Sequence, residues 1–120
     1  MSTTYKELIV YQKAYKASIE IHEISMNFPT FERSELGNQI RRASKSITMN
    51  IAEGYGRNDS IEDFKRFLTM AMGSCEEVKV QLEYSRDLKY INQEKYQELI
   101  STYAEISKML VSMKKNWNKI

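Results

Sequence analysis

Three short stretches divide this chain into helical segments. Asn27-Phe-Pro-Thr-Phe31 holds the single proline, which disfavours helix at the residue before it. Gly54-Tyr-Gly-Arg-Asn-Asp-Ser60 combines glycine with Asn and Asp, a helix stop followed by a turn. Ser60-Ile-Glu-Asp63 then resembles a capping box with Asp in place of Glu, so a new helix starts near Ile61. Lys89-Tyr-Ile-Asn92 is the third break, and Asn92 is a good N-cap for the residues after it. Ala, Leu, Met, Glu, Lys and Gln are common and Val is scarce, a bias toward helix over sheet.

Between the breaks the apolar spacing is helical. A first helix over 4–27 carries Leu8, Tyr11, Ala14, Ile21 and Ile24. A second over 32–56 has a stripe at Leu36, Ile40, Ala43, Ile47 and Ile51. A third over 61–89 places Phe64, Leu68, Ala71, Cys75, Val78, Leu82 and Leu88 on one face. A fourth over 93–117 does the same with Tyr96, Leu99, Tyr103, Ile106, Leu110, Met113 and Trp117. No two-residue alternation and no internal repeat is present. Helices of about 25 residues are roughly 38 Å long. Short connections between them predict an all-α, antiparallel up-down-up-down four-helix bundle, one domain over residues 1–120.

The apolar arcs are wider than one bundle needs. The surplus is Ile9, Val10, Tyr15, Ile19 and Met26 on the first helix, and Phe67, Met70, Met72 and Val80 on the third. The fourth adds Ile100, Ala104 and Val111. A helix in a monomeric bundle keeps its outer half polar, so the surplus predicts a subunit interface and a homo-oligomer.

Enzyme classes fall away one at a time. A di-metal carboxylate bundle needs Glu-x-x-His on two helices; the one histidine, His22, has Ile19 three residues before it. A catalytic triad on this single histidine has no assembled partners. Gly54-Tyr-Gly56 lacks the strand before it and the Lys-Ser/Thr after it that a phosphate loop requires. The lone Cys75 sits at a core position and reads as an inert thiol, with no disulfide framework. The expectation is no catalytic residue, no metal and no cofactor. No segment has the form of a signal peptide or a membrane span, which predicts a cytoplasmic protein without a membrane partner.

The second helix carries polar groups that a core does not require. Gln39, Asn50 and Glu53 interrupt its stripe. Asn50 and Glu53 are neighbours on the helix surface and fall by this spacing at the edge of the buried face, where a carboxylate must be paired. Arg42 or Arg66, with the hydroxyls of Ser46 and Ser74, are its partners in this reading, and Glu77 a second acceptor. Gln39, Asn50, Glu53, Arg66, Ser74 and Glu77 then form a structural network fixing helix register. A catalytic or ligand-binding Glu53 is the rival reading.

Net charge is +2, too small by itself to argue for nucleic acid, but it is uneven. Residues 32–57 carry five basic and three acidic groups, whereas residues 58–90 carry five and seven. The last thirty residues add a second basic excess at Lys114, Lys115 and Lys119. Arg33, Arg41, Arg42, Lys45 and Arg57 are the candidate phosphate contacts, and repetition around an oligomer would join them into a band. Tyr55 beside Arg57 could stack on a base. The alternative is an interaction adaptor or scaffold whose basic residues are solvated.

The chain resembles a known family in Tyr5-Lys-Glu-Leu-Ile-Val-Tyr-Gln-Lys-Ala14, Phe28-Pro29 with Glu32, Leu36, Gln39 and Arg41-Arg42-Ala43. The likeness continues through Ser46-Ile47, Asn50-Ile-Ala-Glu-Gly54 and Gly56-Arg57. Phe64, Arg66-Phe67-Leu68, Ala71, Gly73-Ser74, Glu77 and Leu82 complete it. These segments are similar to the four-helix-bundle proteins of intervening sequences in bacterial 23S ribosomal RNA genes, also called the S23 ribosomal protein family. The resemblance implies a homopentamer. It also implies kinship with the accessory variability protein of diversity-generating retroelements, which binds nucleic acid through a basic surface and contacts a reverse transcriptase. Binding of structured RNA or DNA, and of a reverse transcriptase, are expectations from that kinship.

Overall fold

The computed structural model describes residues 4–57 and 60–117. Four long helices form: α1 (Ile9–Met26), α3 (Leu36–Arg57), α4 (Ile61–Asp87) and α5 (Gln93–Asn116). A single turn, α2 (Thr30–Arg33), lies between the first two. No strand occurs among the described residues. The expected turn residues 58 and 59, and Lys119, lie outside the described residues.

The predicted first helix is interrupted. Thr4 and Glu7 close a capping box around a 3-10 turn at Tyr5–Glu7, and Leu8 is extended at φ −71° and ψ 127°, so α1 begins only at Ile9. The second is split as well: α2 ends at Arg33, capped by Ser34, and α3 begins at Leu36. The α3 helix continues through Gly54 and Gly56, where the sequence reads as a stop. A Cβ at Gly54 would stand 2.6 Å from the Phe67 Cβ, so glycine is there to let α4 approach. The starts of α4 and α5 follow the sequence signals. Ser60 Oγ accepts from the Asp63 amide at 2.9 Å, and Asn92 Oδ1 accepts from the Lys95 amide at 2.7 Å.

Each long helix packs against two neighbours, in the order α1, α3, α4, α5 around the bundle. The particle measures 46 × 23 × 22 Å. One core holds Ala14, Ile21, Ile40, Ile47, Ile51, Leu68, Leu82, Leu99, Ile106 and Leu110, with Phe28 and Ile91 closing one end. Two residues assigned to the surplus, Val10 and Phe67, are buried, whereas Leu88, assigned to the core, is 49% exposed. Cys75 is buried as expected, and desolvation pushes its thiol up to about 11. Beside the thiol, burial also raises the phenol of Tyr103, whose hydroxyl has no hydrogen-bond partner among the described residues.

The α4–α5 connection turns through Lys89, the only non-glycine residue at positive φ (68°) among those described. The Lys89 amide donates to Arg86 O at 2.9 Å and the Tyr90 amide to Ser85 O at 2.8 Å, a Schellman closure. Tyr90 then donates to Glu32 Oε2 at 2.7 Å, which ties this turn to α2 and raises the phenol above its ordinary range.

Candidate functional site

Asn38, Arg42, Lys45 and Met49 recur at three- and four-residue steps, so they form one outward ridge on α3. On α4, Glu77 and Gln81 stand four residues apart and face that ridge. Between them runs an open groove of about 790 Å³, lined also by Gln39, Ala43 and Ser46. Near the groove, helix register is fixed by a small polar network. The Ser46 and Ser74 hydroxyls are 2.8 Å apart across the α3–α4 contact. Asn50 Nδ2 donates to the Ser46 carbonyl at 2.9 Å and to its hydroxyl at 3.0 Å.

This places only part of the predicted network together. Asn50 and Ser74 join through Ser46. Gln39 and Glu77 line the groove instead. Glu53 is not in a buried setting: its side chain is 56% exposed and accepts from Arg57 Nη2 at 3.3 Å, one turn along. At 100° per residue Glu53 lies about 140° from Ile40, well beyond the edge of the buried stripe. Arg66 pairs with Asp63 at 2.9 Å, not with Glu53 or Glu77.

The five basic candidates divide in the same way. Arg41 is half-buried and turned inward; Nη1 donates to Ser25 Oγ at 3.0 Å and Nη2 to the Arg33 carbonyl at 2.7 Å. Arg33 Nε donates to the Phe28 carbonyl at 3.2 Å. Both arginines therefore brace the α1–α2–α3 corner. Arg57 pairs with Glu53 and lies 5.4 Å over the Phe67 ring, with the Arg66 guanidinium 4.7 Å from the same ring. Tyr55 packs edge-on against Phe64 and Trp117 with ring centroids 6.0 Å away in each case. Arg42 and Lys45 remain on the groove. Arg42 has no hydrogen bond or ion pair among the described residues, and Lys45 Nζ donates to His22 Nδ1 at 3.1 Å.

Sequence reasoning missed Asn38, Met49 and Gln81. The first two were readable, since they share the helical spacing of Arg42 and Lys45. Gln81 reaches the groove only through the pairing of α3 with α4, for which one sequence holds no signal. No group of three or more His, Cys, Asp and Glu able to hold a metal occurs among the described residues. Among them, too, no helix is long and apolar enough to cross a membrane.

Fold and groove together define an all-α bundle with a polar, partly basic cleft on its α3–α4 side. The chain belongs to the 23S rRNA-intervening sequence protein family, whose model matches residues 6–112. It is similar to the crystal structure of a protein of unknown function from the S23 ribosomal protein family of Bacteroides thetaiotaomicron. The two share 27% identity over 90% of this chain and 100% of that one, with a TM-score of 0.79. No curated protein matches the chain.

Proposed function

We propose that this is a non-enzymatic, oligomeric four-helix-bundle protein that binds RNA or DNA through the basic ridge of α3. The observation that carries this reading is Arg42, a guanidinium with no partner among the described residues, beside Lys45 in an open groove. Of the five basic residues singled out in the sequence, these two line that groove. The family's link to ribosomal RNA genes supports a nucleic-acid partner over a small-molecule one.

The bundle is read as antiparallel. Lys13 pairs with Glu105 and Glu20 with Lys95, so positions rise on α1 as they fall on α5. His22–Lys45 with Ser25–Arg41, and Ser46–Ser74 with Gly54–Phe67, support the same sense for α1–α3 and α3–α4. Two exposed apolar stripes support assembly: Tyr15, Ile19 and Met26 on α1, and Met70, Val80 and Tyr84 on α4, continued by its C-cap Leu88. They occupy opposite corners of the bundle and differ in composition. Unlike patches join head to tail, and such contacts close into a ring when the rotation between subunits divides a full turn, as in the pentamer that the family resemblance implies.

The test is titration of a labelled structured RNA at about 50 mM and about 200 mM salt. Binding should weaken with salt, because each phosphate contact releases counterions. Arg42→Glu with Lys45→Glu should lower affinity at least tenfold at the lower salt and flatten the salt slope. Equal binding by the double variant would overturn the reading. The same stripes favour a second reading, a protein-interaction adaptor, which predicts no RNA binding at either salt and unchanged assembly in the double variant.

A further inference from the structure

A cleft built only to hold phosphate presents donors on every wall. The α3–α4 groove does not. Its α3 wall offers the donors of Arg42 and Lys45, but its α4 wall carries an acceptor, the Glu77 carboxylate. Glu77 makes no ion pair among the described residues although both cations line the same groove. An unpaired carboxylate facing a cationic ridge repels the phosphate that the ridge attracts. The complementary ligand is therefore two-sided, with negative charge toward α3 and hydrogen-bond donors toward α4. Pockets of the groove's volume, about 790 Å³, hold ligands of nucleotide size.

Among the four bases, guanine alone carries adjacent donors on its Watson–Crick edge, the N1–H and the 2-amino group. Adenine and cytosine each offer one amino group there, and uracil one N–H. A carboxylate takes the guanine pair with its two oxygens, and an unstacked base can present that edge only from a single strand or loop. Resting on the nucleic-acid reading above, we propose that the groove selects a guanine nucleotide. Its phosphate lies on Arg42 and Lys45, and its Watson–Crick edge on Glu77.

The experiment uses the full chain and labelled eight-residue RNAs: oligouridine carrying two central guanosines, the same with inosines, and the same with adenosines. Inosine keeps N1–H and lacks the 2-amino group. The guanosine strand should bind about tenfold tighter than the inosine strand, the step expected for one hydrogen bond to a charged acceptor. Glu77→Gln should erase that preference and leave binding of plain oligouridine intact. Competition by free guanosine monophosphate distinguishes the sources: displacement at equal concentration assigns the site to the free nucleotide, and failure to displace assigns it to the strand. Equal binding of all strands, or a Glu77→Gln variant that tightens on all alike, overturns guanine selection while leaving nucleic-acid binding in place. Absence of binding by every strand and by the nucleotide overturns both. A change in molar mass on Glu77→Gln also overturns it, since the groove is then a subunit contact.

Discussion

Arg41 and Arg42 are neighbours with the same charge, and one turn of 100° gives them opposite duties. Arg41 reaches back to Ser25 and Arg33, whereas Arg42 stands in the groove. Arg41→Ala should therefore lower stability by about 1–3 kcal/mol, leaving Ser25 and the Arg33 carbonyl without their donor. Arg42→Ala should stay within about 0.5 kcal/mol of the parent. Urea unfolding followed by circular dichroism separates the two. Glycines divide in the same manner. Gly54→Ala forces a methyl against the Phe67 Cβ and should cost about 1–3 kcal/mol despite alanine's better helix propensity. Gly73, with nothing within 4 Å of an added Cβ, should gain up to about 1 kcal/mol on the same change in a dissociated subunit. The sequence could not tell these roles apart, because Arg-Arg and a helical Gly read alike until a neighbouring helix is placed.

At the scale of elements, the helices were legible wherever a side chain caps them. Ser60 and Asn92 fix the starts of α4 and α5 at the residues expected. The boundary at Leu8 was not, whereas the turn at Lys89 falls in the expected third break. The break at Leu8 continues the apolar spacing and contains no glycine or proline, so periodicity ran through it. The end of α4 depends on Lys89 taking a left-handed conformation that glycine usually supplies. That conformation costs a side-chain-bearing residue roughly 1–2 kcal/mol. Lys89→Gly should accordingly raise stability by about 1 kcal/mol, seen as a higher urea midpoint with an unchanged slope. A drop in stability would mean that the lysine side chain contributes more than the strain removes.

For the whole molecule, the four long helices and most of their buried faces follow from the spacing of apolar residues, and the groove does not. Its α3 ridge is a sequence pattern, but its acidic wall exists only because Glu77 is carried opposite that ridge. The surplus of apolar residues was legible, and Val10 and Phe67 left it because the folded bundle buries both. The remaining stripe on α4 makes a prediction about assembly. Val80→Asp with Tyr84→Asp should reduce the particle to a single 14.1 kDa chain by light scattering, with helix content retained. An unchanged mass would remove the α4 stripe from the interface. Cys75 gives the same particle an internal clock. It is the one thiol in the chain, sealed in the shared core and protonated well above neutral pH. An alkylating reagent can reach it only while the helices part, so the pace of labelling counts those openings directly. Comparing that pace between dilute and concentrated protein would reveal how far the neighbours in an assembly hold each bundle shut.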